Sequence, residues 1–363
     1  MLAHIDIIKI LLPMALAFFV GIGITPIVSH YLYKYKCWKK KAGKKGGYGG
    51  GETPIFNELH KNNEVNTPRM GGIVVWGAVL GTAALLWVLP RMFGGELLYK
   101  LEFVSRTQTW LPLVALLLGA LVGLVDDILE IRGGGGHFAG GLSLKKRLAV
   151  VGAFFLFAGW WFYEKLGVSS VSLPLDGVLE LGALFVVFFV LVGMAVYASG
   201  VIDGIDGLAA GVFAIIFGAY GVIAFAQNQI DLAAFCATMV GALLAFLWFN
   251  IPPARFYLTE TGTMALTMAL TVVAFMSDTL SEGKGVAVLP IVGFLLVATV
   301  VLNVVQVLSK KLRNGKKVLL VAPLHHHFEA LGWPREKVTM RYWVLGMASA
   351  FVGVIVALLG SIL

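Results

Sequence analysis

Four small groups of ionisable residues interrupt an otherwise apolar chain: Asp126-Asp127, Asp203-Gly204-Ile205-Asp206, Glu260 and His325-His326-His327. Two adjacent carboxylates can divide labour, one holding Mg²⁺ or orienting a ligand while the other takes a proton. Asp203 and Asp206 sit among glycines, which suits a tight turn with both side chains free. Either can equally N-cap the helix that follows, and such a helix start welcomes phosphate. Glu260 falls in a first helical turn, where the dipole favours an acid whatever else it does. Consecutive histidines project in different directions, which suits zinc poorly. They suit contact with a diphosphate, or placement of a proton, better, with at least one of the three left for a structural task. Acids, imidazoles and nearby cations together are the inventory of metal-assisted phosphoryl transfer.

The elements that must position these groups are membrane helices. The chain of 363 residues is 59% hydrophobic and 13% charged, against about 25% charged in soluble domains. A membrane-spanning helix needs about 20 mainly apolar residues. Charge-free runs predict ten, near 10–33, 70–90, 107–125, 148–163, 181–202, 207–230, 232–251, 261–277, 285–309 and 342–363. The fourth and eighth are short, and Pro252-Pro253 closes the seventh, since proline cannot continue a helix interior. The first run is too long for a signal-peptide core and reads as a retained helix.

Lysine and arginine orient the bundle. The loops after helices 1, 3, 5, 7 and 9 hold 22 of the 28 basic residues, and the loops after helices 2, 4, 6 and 8 hold 5. The first set is therefore expected in the cytoplasm and both termini outside. Every acidic and histidine group then faces one compartment, as one active site would. The net charge of +8 sits in membrane-flanking loops, including Lys145, Lys146, Arg147 and the run from Lys310 to Lys317. That placement suits lipid headgroups and a phosphorylated substrate rather than nucleic acid. Gly43–Gly51 and Gly133–Gly141 read as flexible linkers, and Cys37 and Cys236 as small buried hydrophobes.

Six motifs together resemble the polyprenyl-phosphate N-acetylhexosamine-1-phosphate transferases. They are Thr67-Pro68-Arg69-Met70-Gly71-Gly72, Asp126-Asp127, DGIDGLAAG at 203–211, FNIPPARFYLTETG at 249–262, APLHHHFEALGWPREKV at 322–338 and Arg341-Tyr342-Trp343. The His-His-His-Phe-Glu string is similar to that of the muramoyl-pentapeptide branch. The resemblance implies an all-α polytopic protein forming one transmembrane transferase domain over 1–363, in the cell inner (cytoplasmic) membrane. It implies transfer of phospho-N-acetylmuramoyl-pentapeptide from UDP to undecaprenyl phosphate within the lipid bilayer, giving lipid I and UMP, with Mg²⁺ as cofactor and a homodimer as assembly. Asp126, Asp127, Glu260 and His325 become the catalytic candidates, with Glu260 and Asp127 directed at the metal. Asp203, Asp206, Asn250 and Tyr257 fall on the nucleoside side. Thr67, Arg147, Gln306, His326 and His327 complete the substrate-binding set.

The chain departs from the family pattern in four places. Glu260 replaces an aspartate, Gly200-Val201-Ile202 replaces Asn-Leu-Thr, and Glu130 and Arg147 each replace a lysine. These departures keep two other readings open: a transferase for UDP-N-acetylglucosamine or a related UDP-sugar, and a catalytically degenerate relative that binds lipid or nucleotide.

Overall fold

The computed structural model describes residues 2–39, 66–133, 141–173, 177–279 and 284–359. Residues 43–51, and 134–140 of the second glycine-rich stretch, lie outside the described residues. In a bilayer the backbone must satisfy its own hydrogen bonds, and the apolar runs accordingly form helices. They are α1 (Leu2–Lys34), α2 (Gly72–Phe93), the short α3 (Glu96–Leu101), α4 (Trp110–Arg132), α5 (Leu144–Leu166), α6 (Leu184–Ala198), α7 (Leu208–Ala226), α8 (Ile230–Asn250), α9 (Thr259–Thr279), α10 (Gly285–Val292), α11 (Phe294–Leu312), the short α12 (Leu324–Ala330) and α13 (Arg335–Leu359). A 3₁₀ turn, Ser199–Ile202, extends α6.

Helix α9 is the axis of the bundle, and its span is almost wholly buried. Small residues let its neighbours approach closely, as is common among membrane helices. Gly119 and Gly123 of α4 lie directly on the α9 backbone, and Gly72 of α2 lies on Gly262. Helix α1 packs along α8 the same way, through Gly21 against Ala245 and Gly241 against the Met14 carbonyl. Away from the site, Phe162, Phe185 and Phe189 gather on Phe275, with Phe189 and Phe275 stacked at 4.1 Å. Lys9 of α1 and Asp231 at the start of α8 pair at 2.5 Å.

Among the described residues, nine helices are long and apolar enough to cross a membrane. The fourth expected span falls short of that standard because its charge-free stretch is bounded by Arg147 and Glu164. Helix α5 nevertheless runs the length of the bundle. Arg147 at its start meets Glu260 at the head of α9. Ser172, beyond its end, bonds Asp278 near the foot of α9. The ninth expected span is broken at Gly293 into α10 and α11. Pro290 removes a backbone donor just before the break, and glycine is a poor helix former. The first and last helices begin earlier than the charge-free runs, at Leu2 and Arg335. Besides the short helices α3 and α12, one non-helical element among the described residues has no counterpart in the expected spans. It is an antiparallel hairpin of β1 (Ser170–Ser172) and β2 (Val178–Glu180), with Val171 opposite Leu179.

Candidate active site

The head of α9 is where distant segments meet. Asp127 is fully buried, and its Oδ2 accepts hydrogen bonds from Thr259 Oγ1 (2.5 Å), Thr261 Oγ1 (2.6 Å) and Thr261 N–H (2.9 Å). Asp203 Oδ2 accepts the Thr259 N–H at 2.8 Å. Two carboxylates from other segments thus satisfy donors that a helix start leaves open, where the dipole also favours negative charge. Thr259 itself has φ +56, a left-handed conformation costly for a β-branched residue. The two carboxylates and the Met70 N–H, which bonds Thr259 Oγ1 at 3.0 Å, hold it there. Arg69 Nη2 lies 3.4 Å from Asp127 Oδ1 and 2.7 Å from Glu130, which also pairs with Lys39 at 3.0 Å.

Asp126 faces the other way. Its Oδ1 accepts the Leu142 N–H at 2.7 Å, and Gly141 is pressed so close that a methyl there would sit 2.7 Å from the same oxygen. Arg147 Nη1 lies 3.6 Å from Asp126 Oδ2 and 2.8 Å from Glu260 Oε1. One guanidinium group therefore stands between the two carboxylates. The Glu260 side chain keeps 32% exposure and also accepts from Thr263 Oγ1 at 3.3 Å.

The Asp203 turn and the histidines form the adjoining wall. Gly204 packs on both imidazoles: a methyl there would lie 2.2 Å from His325 Nε2 and 2.7 Å from His326 Nε2. His326 Nδ1 contacts Glu329 Oε2 at 2.5 Å, and Arg335 Nε donates to Glu329 Oε1 at 2.8 Å. A carboxylate on Nδ1 fixes the ring and its tautomer, leaving Nε2 aimed at the turn. His327 does a different job. Its Nδ1 accepts the Leu320 N–H at 3.2 Å and braces the preceding loop. Asp203 is half-buried. Burial pushes its carboxyl up to about 7, against the Thr259 N–H and Arg69, which pull it down, while Glu260 and Asp127 add to the rise.

Not every expected residue opens toward this space. Asn250 is buried, with its Oδ1 accepting the Gly207 N–H and its Nδ2 donating to the Phe256 carbonyl, both at 2.9 Å. Gln306 spends its amide on the Leu319 carbonyl and on the N–H groups of Val318 and Leu319. Asp206 Oδ2 accepts the Ala254 N–H at 3.2 Å. Thr67 and Tyr257 are partly exposed, and the segments carrying them are laced together by the bond from Tyr257 N–H to the Pro68 carbonyl. Asp127, a catalytic and metal candidate in the sequence, has its Oδ2 taken up in capping the head of α9. Arg69, Thr259, Thr261, Gly204, Glu329 and Arg335 were not singled out from the sequence. All six lie inside the quoted motifs, and a buried acid pair needs cations and donors near it. That requirement was the available signal.

Comparison with known proteins agrees with this assembly. The glycosyl transferase family 4 profile matches residues 109–278. The phospho-N-acetylmuramoyl-pentapeptide-transferase of Geobacillus kaustophilus (strain HTA426) is 31% identical over 352 residues, covering 95% of this chain and 97% of that protein. The chain belongs to the phospho-N-acetylmuramoyl-pentapeptide transferase family. Two further transferases of that name are 33% and 32% identical, from Geobacillus sp. (strain WCH70) and Chloroflexus aurantiacus (strain ATCC 29366 / DSM 635 / J-10-fl). They cover 80% and 82% of the chain and are themselves covered to 84% and 78%. In family terms, all four groups of acids and histidines found in the sequence come to one end of the transferase bundle, around the head of α9.

Proposed function

We propose that this chain transfers phospho-N-acetylmuramoyl-pentapeptide from its UDP carrier to undecaprenyl phosphate at the cytoplasmic face of the inner membrane, releasing UMP and forming lipid I. The whole chain acts as one transferase domain. The observation that carries the reading is the Asp126–Arg147–Glu260 bridge beside the Asp203 turn and the two imidazoles. It joins carboxylates, a cation and histidines at a helix end, where a soluble nucleotide-sugar can meet a lipid phosphate.

Among the described residues, no three His, Cys, Asp or Glu side chains are grouped to hold an ion by themselves. Mg²⁺ does not need such a cage, because one or two carboxylates and substrate phosphates suffice. Arg147 between Asp126 and Glu260 shows that this pair accommodates positive charge, so Asp126 and Glu260 would hold the ion. Asp127 contributes less directly, with one oxygen already accepting three hydrogen bonds. When bound, Mg²⁺ would neutralise charge on the diphosphate. The chain's own residues supply the rest. Asp126 orients the lipid phosphate, which is already a nucleophile and needs positioning more than activation. His325 and His326 face the diphosphate from the Gly204 wall, and Arg147 offsets charge developing toward UMP.

The test is UMP release by the purified protein in detergent with undecaprenyl phosphate and Mg²⁺. UDP-N-acetylmuramoyl-pentapeptide and UDP-N-acetylglucosamine are offered separately. Turnover with the first alone is expected, and its loss in Asp126→Asn and Glu260→Ala in folded protein supports the assigned roles. Turnover with the second alone moves the chain to the other sugar. Silence with both, from folded protein, refutes the enzymatic reading.

A further inference from the structure

At the end of α1, on the same side of the bundle as the active site, an open groove of about 440 Å³ is lined by Pro26, Ser29, His30, Tyr33, Lys34 and Arg255. It shares no lining residue with the centre around Asp126 and Glu260. We propose that this groove binds the phosphate of an anionic phospholipid, phosphatidylglycerol being the simplest, with the acyl chains lying along the exposed apolar face of α1.

Three features point to a lipid phosphate. The first is uncompensated positive charge. Lys34 and Arg255 are exposed, and among the described residues neither is paired with a carboxylate. Their recorded neighbours are rings, with Lys34 Nζ 5.9 Å from the Tyr35 ring and the Arg255 guanidinium 6.0 Å from the Phe249 ring. An anion arriving there meets two cations and an imidazole, and none of the lining residues is acidic. The second is a buried polar group. Ser29, one of the lining residues, is 1% exposed, and its hydroxyl has no hydrogen-bond partner. Such a group is costly unless something bonds to it, and a phosphate oxygen can accept its proton.

The third feature is depth. Tyr31 and Tyr35 stack at 6.2 Å, and Tyr33 lies edge-on to Trp38 at 6.2 Å. Clustered tyrosine and tryptophan at a helix end mark the headgroup level. Toward the bilayer centre the same helix exposes Ile27 and Phe19, at 60% and 68%, an apolar strip that acyl chains would cover. A free phosphate would use the cations and leave that strip idle. The groove is also pre-built. Tyr33 Oη donates to the Arg255 carbonyl at 2.9 Å, and the Arg255 N–H donates to the Phe249 carbonyl at 2.8 Å, which fixes the arginine against α1.

The experiment uses the full chain in detergent and counts retained lipid by native mass spectrometry. Phosphatidylglycerol and phosphatidylcholine of identical acyl chains compete. Retention of the anionic lipid is expected to exceed that of the zwitterionic one about tenfold, and Lys34→Gln with Arg255→Gln is expected to remove most of that preference. Ser29→Ala should weaken it by a smaller factor. Lys34→Glu, a change at an exposed position, reads out the same site if the double variant fails a melting check. Equal retention of the two lipids, or an undiminished preference in the folded variants, overturns the proposal. Displacement by inorganic phosphate at matched concentration overturns the lipid assignment in favour of a soluble anion.

Discussion

Replacing Gly123 by alanine should disable the protein without touching any ionisable residue. Helix α4 crosses α9 at this glycine. A methyl there would stand 2.1 Å from the Glu260 carbonyl oxygen and 2.7 Å from the Thr261 Cα, while ordinary contact starts at 3.4 Å. Both obstacles are backbone, so α4 must withdraw by about 1.3 Å, the difference between 3.4 and 2.1. Asp126 and Asp127 ride on α4 one turn further along. The Asp127 bonds to Thr259 and Thr261, now 2.5–2.9 Å, would stretch beyond hydrogen-bonding range, and the Asp126–Arg147–Glu260 bridge would open. A misplacement of about 1 Å costs on the order of 10²-fold in rate. Overpacking costs about 1–3 kcal/mol, partly offset by the roughly 1 kcal/mol that alanine gains over glycine in a helix. UMP release should therefore fall about 100-fold, and the melting temperature in detergent should fall with it because buried Asp127 loses its partners. Gly152→Ala is the control, because nothing lies within 4 Å of a methyl at that position on α5. Wild-type turnover in Gly123→Ala would refute the claim that this close approach sets the site.

Three further outcomes follow from the hydrogen bonds and charges around α9. Glu329→Gln, which removes the carboxylate fixing His326, should lower kcat about 10–100-fold with little change in melting temperature; an unchanged kcat would mean that the ring is positioned otherwise. Asn250→Ala should destabilise the protein by about 2–3 kcal/mol, since it strips partners from the Gly207 N–H and the Phe256 carbonyl. A lowered UDP-sugar affinity with unchanged melting would instead assign Asn250 to substrate. Asp203, its carboxyl raised to about 7, binds more protons folded than unfolded between its ordinary value near 3.9 and about 7. Stability from this group therefore falls as pH rises through that window. The melting temperature should decline from pH 5 to pH 8 in the wild type, and the decline should flatten in Asp203→Asn; parallel curves would remove Asp203 as the cause.

Much of this was legible in the chain because a bilayer admits few backbone solutions. Apolar length gave the helices, and basic residues gave a sidedness that brings Asp126, Asp203, Glu260 and His325 to one end. Two departures were also encoded locally. Pro290 and Gly293 mark where α10 and α11 separate, and the flanking charges of α5 shorten its apolar run. Side-chain partnership was not legible. Asp127 and Thr261 are 134 residues apart in sequence, and only the packed crossing of α4 over α9 reveals that one acid of the pair is a cap and the other faces the site. Asn250 and Gln306 looked like polar groups awaiting a ligand, because nothing in the sequence shows which backbone donors and acceptors will need them. The hairpin at 170–180 is too short to leave a periodic signature.

Arg147 gives the site a stopper of its own. Its guanidinium group stands where Asp126 and Glu260 would otherwise repel one another, and its single charge offsets part of that repulsion before any reactant arrives. Any divalent ion held between the same two carboxylates would have to compete with this tethered cation. Such competition would weaken metal retention at the site.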